Sequence, residues 1–137
     1  MILLDTDICV DLLRGTSPAA ARRLLAAEPG GLRIPAVAAA ELLFGARKGG
    51  SDKALRLTRE FIAQIGVAAF DGAAAEQYGA LRERQRRSGT VIGPNDLLIA
   101  ATALALGAVL ATANTAEFSR VSGLVVENWR DPPLSPG

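Results

Sequence analysis

The sequence predicts an α/β domain built on a mainly parallel sheet. Short apolar runs alternate with longer helical stretches along the chain. Helix-start residues (Ser, Thr, Asp, Pro) and helix-stop glycines punctuate those stretches. The 137 residues suffice for one domain with a real core and are too few for two ordinary ones. No internal repeat or linker divides them. The expected domain spans residues 1–130, and Asp131 to Gly137, with three prolines, reads as a loosely ordered tail.

Ile2-Leu3-Leu4 is a short buried strand ending at Asp5. Thr6 is a plausible N-cap for a helix through about Leu13, closed by Gly15. Ser17-Pro18 pairs a cap with proline at the first helical position and starts a helix to about Ala27. After the Pro29-Gly30-Gly31 turn, Leu32-Arg33-Ile34 is a strand ended by Pro35. Val37 to Lys48 is an Ala/Leu-rich helix stopped by Gly49-Gly50. Ser51 caps a longer helix with Leu55, Phe61, Ile62 and Ile65 on one side and Arg56, Arg59 and Glu60 towards solvent. Val67 to Phe70 is a strand, and Asp71 or Gly72 begins a helix to about Arg87. Gly89 and Gly93-Pro94 break the chain before a helix from Asn95 to Leu106. Ala108 to Ala111 is a buried strand, Asn114 to Arg120 a polar loop and short turn, and Leu124 to Val126 a last strand.

Half the residues are hydrophobic and 4% are aromatic, so Ala, Leu, Val and Ile must make most of the core. A net charge of +1 does not announce a polyanion binder, and any such contact would come from local patches. Cys9 stands alone, which excludes an internal disulfide and a cysteine metal site and suits a buried thiol in a reducing compartment. Met1 to Asp5 lacks the basic start of a secretory signal. The apolar stretch Leu97 to Ala113 is slightly short for a membrane span and reads better as helix, turn and strand. A soluble, cytoplasmic protein with no membrane contact is expected.

The chemistry is concentrated in acids. Asp5, Glu41 and Asp96 each sit in a strongly apolar neighbourhood, and the chain has no histidine. Carboxylates rarely enter such surroundings unless paired or bound to a cation. With oxygen ligands alone available, that cation would be Mg²⁺ or Mn²⁺ rather than zinc. Asp5, Glu41 and Asn114 all fall after strands, at the edge where open α/β sheets place their sites, and Asp96 lies in the first turn of the helix leading to the fourth strand. Strand order is not visible in the sequence, so spacing alone does not prove that they meet. Taken singly, each acid has a bland use: Asp5 as a capping carboxylate, Glu41 as an exposed helix position, Asp96 as a first-turn residue after Pro94.

Four segments in order carry a resemblance: Leu3-Leu4-Asp5-Thr6-Asp7, Ala40 to Gly45, Gly93-Pro94-Asn95-Asp96 to Ala100, and Thr112-Ala113-Asn114 to Phe118. Together they resemble the PIN-domain family, specifically the VapC-type toxins of type II toxin–antitoxin pairs, over nearly the whole chain. The resemblance implies a three-layer α/β/α domain with a central five-stranded parallel sheet, usually in a homodimer. It implies a Mg²⁺- or Mn²⁺-dependent endoribonuclease inhibited by a cognate VapB-type antitoxin. Carried over, the catalytic positions are Asp5, Glu41, Asp96 and Asn114. Metal-activated water would attack an RNA phosphodiester and leave a 5′-phosphate. The ligands would be Asp5, Glu41 and Asp96, with Asn114 or Glu117 completing the site. Asn114 stands where many relatives carry Asp; it can ligate through its carbonyl oxygen but adds no charge, and Glu117 restores a carboxylate nearby. Thr6, Asp7 and Thr112 would support the ligands.

Two alternatives remain open at this level. Asp5-Thr6-Asp7 after an apolar strand also fits a haloacid-dehalogenase-like phosphatase, with Asp5 as nucleophile and Asp7 as acid/base; Cys9 and the placement of Lys48 and Lys53 speak against it. A PIN-like module that binds without catalysis is the other, opposed by retention of all three core acids. The basic run Arg82 to Arg87 is either an RNA-contacting face or a solvated helix end with a Glu83–Arg87 pair. Trp129 reads as a core plug or edge cover.

Overall fold

The computed structural model describes residues 1–132; of the expected tail, residues 133–137 lie outside the described part. Five strands form the sheet: β1 (Ile2–Leu4), β2 (Leu32–Pro35), β3 (Val67–Ala68), β4 (Val109–Ala111) and β5 (Val126–Glu127). Seven helices accompany them: α1 (Thr6–Arg14), α2 (Pro18–Ala26), α3 (Ala36–Lys48), α4 (Asp52–Ile65), α5 (Gly72–Ser88), α6 (Pro94–Leu106) and α7 (Thr115–Phe118). The strand order is β3-β2-β1-β4-β5, and every pairing is parallel. This is the three-layer α/β/α arrangement the sequence predicts.

The order decides where chemistry can happen. From β1 the chain moves outward through β2 and β3, then returns to the other side of β1 for β4 and β5. Between β1 and β4 the winding reverses, and such switch points leave a crevice at the carboxyl ends of the strands. Leu3 pairs with Leu110 there, and Leu4 with Ala111.

Most helix starts follow local capping chemistry. The Ser17, Ser51 and Asp71 side chains accept from Ala20, Ala54 and Ala74 N–H. At α1 the cap is Asp5, not Thr6: Asp5 Oδ1 accepts from the Thr6 N–H at 2.8 Å, so the first helix begins one residue earlier than expected. Two strands also differ from expectation. β3 stops at Ala68 because β2, its one partner among the described residues, ends at Pro35 and turns directly into α3. β5 begins at Val126 because Leu124 is still in a turn, with its N–H on the Val121 carbonyl.

The core lies along β1, β4 and α6, with Leu3, Leu4, Ile34, Ile99, Leu110, Phe118 and Trp129 fully or almost fully buried. Alanines at 100, 101 and 103 let α6 sit deep in the fold, and α5 packs along it. Trp129 plugs this core. The segment after it is tied down by Arg130, whose guanidinium donates to both oxygens of the buried Asp11 at 2.7 and 3.3 Å. That hydrogen-bonded cation holds the Asp11 carboxyl below its usual range. Arg23 reaches the carbonyls of Asp131 and Pro132. Among the described residues, no helix is long and apolar enough to cross a membrane.

Candidate active site

The parallel sheet brings Asp5, Thr112 and Asn114 to one edge at the switch point. Asp5 leaves β1 with its N–H on the Ala111 carbonyl of β4, which anchors its backbone. Its carboxylate is held on both oxygens: Oδ1 by the Thr6 N–H and Oδ2 by the Thr112 hydroxyl at 2.7 Å. Thr112 is fully buried and accepts the Asn114 N–H on the same hydroxyl, so the turn after β4 and the acid after β1 form one unit. Asp7 strengthens it, with Oδ1 on the Ile8 N–H and Oδ2 on the Ala113 N–H at 3.0 Å. Both Asp7 oxygens thus accept backbone N–H groups, and Oδ2 also lies 3.5 Å from the Thr112 hydroxyl.

Glu41 approaches from α3, and its Oε1 accepts from the Thr6 hydroxyl at 3.1 Å. Asp96 stands in the first turn of α6. Glu117, from α7, accepts the Gly93 N–H at 2.9 Å on Oε1 and the Asn114 side-chain amide at 2.9 Å on Oε2. It also lies close to Asp96: a Cβ at Gly93 would be 3.7 Å from both Asp96 Oδ2 and Glu117 Oε1. Asn114 itself is exposed, with its NH₂ group spent on Glu117.

The electrostatics show how closely these acids are set. Burial raises the Asp5 pKa to about 6, helped by the negative charges of Asp7 and Glu41 and opposed by the Thr112 and Thr6 hydrogen bonds. Asp96 is raised too, first by burial, then by the hydrogen bond to Glu117 and the charges of Asp5, Glu117 and Glu41. Glu117 moves the other way because the Gly93 N–H and the Asn114 amide both favour its charged form. Burial and neighbouring charges thus push Asp96 towards its neutral form, while the Gly93 N–H and the Asn114 amide hold Glu117 in its charged form. The ion pairs among the described residues join Arg23 to Glu127, Arg86 and Arg87 to Glu83, and Arg130 to Asp11; none neutralises this cluster.

The site thus draws Asp5, Glu41, Asp96, Asn114 and Glu117 into one neighbourhood, with Thr6 and Thr112 bonded to its members and Asp7 bonded to the turn that carries Thr112 and Asn114. Among the described residues, no three Asp, Glu or Cys side chains close into a ready-made ion cage. Gly93 was not apparent as part of the site: the sequence reads it as a chain break, and nothing local signals that its N–H holds Glu117. The run Arg82 to Arg87 carries the expected intrahelical pairing, with Glu83 accepting from both Arg86 and Arg87 and Arg82 lying over the Tyr78 ring.

A carboxylate cluster at the switch point of a five-stranded parallel sheet defines the class, and comparison with known proteins places the chain within it. The PIN domain family model matches residues 2–124. A tRNA(fMet)-specific endonuclease VapC of Shigella flexneri is 36% identical over 128 residues, covering 93% of this chain and 96% of that protein. Among solved structures, DNA-bound VapBC from Salmonella typhimurium superposes with a TM-score of 0.86 at 30% identity, covering 93% of this chain and 97% of that one. VapBC2 from Rickettsia felis, bound to a promoter DNA fragment, gives 0.83 at 32% identity, covering 94% and 99%. The chain belongs to the PIN-domain family, among its VapC-type ribonucleases.

Proposed function

We propose that this protein is the toxin of a type II toxin–antitoxin pair, a divalent-metal-dependent endoribonuclease whose working domain spans residues 1–130. The observation that carries the reading is the cluster of Asp5, Glu41, Asp96 and Glu117, two of whose members have raised pKa values, with none of the four in a salt bridge among the described residues and Arg120 acting on Glu117 only through its charge. Such a cluster carries repulsion that a hard cation relieves. The donor set suits Mg²⁺ or Mn²⁺, because every available ligand atom is oxygen. The lack of a three-carboxylate cage fits as well. Mg²⁺ keeps several waters and commonly binds through one or two carboxylates plus substrate phosphate oxygens.

Asp5 and Asp96 would be the principal ligands, with Glu41 acting directly or through water and Asn114 or Glu117 completing the set. When bound, the ion supplies an activated water and offsets charge on the phosphodiester. The chain's own residues fix the geometry: the Thr6 N–H and the Thr112 hydroxyl hold the Asp5 carboxylate, and the Thr6 hydroxyl also orients Glu41. With no histidine in the sequence, a His acid/base pair is not available. A VapB-type antitoxin, a homodimeric state and a cytoplasmic location belong to the same proposal.

The test is induced expression of the wild type and Asp5→Asn, each with and without the small gene expected beside it, with mapping of cellular RNA ends. The wild type alone should arrest growth and generate new 5′-phosphate ends, which co-expression suppresses. Equal arrest and equal cleavage by Asp5→Asn would overturn the reading.

A further inference from the structure

Gln85 lies among arginines on α5, yet it is only 3% exposed. Its side-chain Oε1 accepts the Ile92 N–H at 3.2 Å. Its backbone carbonyl accepts the Thr90 N–H at 3.0 Å and the Ser88 hydroxyl at 3.3 Å. One residue therefore gathers the connection from α5 to α6 at three points. The amide pays a penalty there: Nε2 is buried and has no partner among the described residues. Turning the amide over would set its NH₂ against the Ile92 N–H, donor against donor, so the Ile92 bond fixes its orientation. Packing alone gives no reason for an amide at this position.

The residue after Ile92 is Gly93, whose N–H holds Glu117 Oε1 at 2.9 Å. A methyl group at Gly93 would lie 3.7 Å from both Asp96 Oδ2 and Glu117 Oε1, so the loop backbone lies against both acids. Glu117 in turn lies beside Asp96 and accepts from the Asn114 amide. A continuous path runs from Gln85 through Ile92 and Gly93 to the acids of α6 and α7.

We propose that Gln85 is a positioning residue: by holding Ile92 it fixes the Gly93 N–H that orients Glu117, and through Glu117 the Asp96 half of the site. The consequence for catalysis rests on the metal-dependent reading above; the consequence for loop order does not. The test uses the full chain with Gln85→Leu, which removes the acceptor at similar size, and Gln85→Glu, which keeps an acceptor oxygen. Gln85→Met takes the place of Gln85→Leu if the latter fails to fold. Amide hydrogen exchange at Gly93 is read by NMR, and Mn²⁺ binding by calorimetry.

In Gln85→Leu, exchange at Gly93 should quicken by about tenfold, the worth of one hydrogen bond near the top of its usual range. Mn²⁺ affinity should fall by about three- to tenfold, somewhat less than for a residue bonded directly to a ligand. Gln85→Glu should restore Gly93 protection. Unchanged Gly93 exchange in a folded variant lacking the acceptor would overturn the proposal, as would equal loss in folded Gln85→Glu. If the wild type binds no Mn²⁺, the metal reading fails, while exchange at Gly93 still decides the role of Gln85.

Discussion

Asp5→Asn should abolish RNA cleavage and, without divalent metal, make the protein more stable. The loss of activity should exceed about 100-fold, because partners one step removed from a metal ligand already cost that much. The gain in stability follows from linkage. Asp5 is 6% exposed, and its pKa is raised from the usual 3.8 to about 6. Between those values the folded state binds more protons than the unfolded one, so the wild type loses stability as pH rises through that window. The advantage of the variant is therefore absent below 3.8 and complete above about 6. Its size should be on the order of 1–3 kcal/mol. Asparagine fits the place: its carbonyl can accept the Thr6 N–H, and its NH₂ can donate to the Thr112 hydroxyl. Thermal unfolding across pH, with and without Mg²⁺, checks this. Metal should stabilise the wild type more than the variant. A variant less stable than the wild type at neutral pH in metal-free buffer would contradict the electrostatic account.

Trp129→Ala should remove most of the protein's stability. The ring is 2% exposed and belongs to the core with Leu3, Leu110 and Phe118. Truncating a buried aromatic to alanine costs about 3–5 kcal/mol, against a total of about 5–15 kcal/mol for a domain. Trp129→Phe should cost less, since it keeps an aromatic ring and removes the indole N–H, which has no partner among the described residues. Urea unfolding measures both. A loss below about 1 kcal/mol for Trp129→Ala would mean that the indole covers an edge rather than plugging the core.

The parts of this fold that can be read from the chain are those set by local chemistry. Ser17-Pro18, Ser51 and Asp71 mark helix starts because a side-chain oxygen near an unpaired N–H acts within three residues. Strand limits were less accessible. β3 ends where β2 turns into a helix, a fact about a partner more than thirty residues away in sequence. The same holds for the site. Asp5, Glu41 and Asp96 stand out by their apolar surroundings, but their meeting depends on β1 lying between β2 and β4, which no local pattern encodes. Gln85 was hidden for a related reason. The arginines around it read as a solvated face, and only the packing of α5 on α6 turns this one polar side chain inward.

The most direct test of the central claim is cleavage of RNA by the purified chain in Mg²⁺ and in excess EDTA, with the chemistry of the new ends determined. The account predicts cleavage in Mg²⁺ that leaves 5′-phosphates, stops in EDTA, returns when Mg²⁺ or Mn²⁺ is restored, and is missing in Asp5→Asn. Cleavage undiminished by EDTA, or ends carrying 2′,3′-cyclic phosphates, would contradict it.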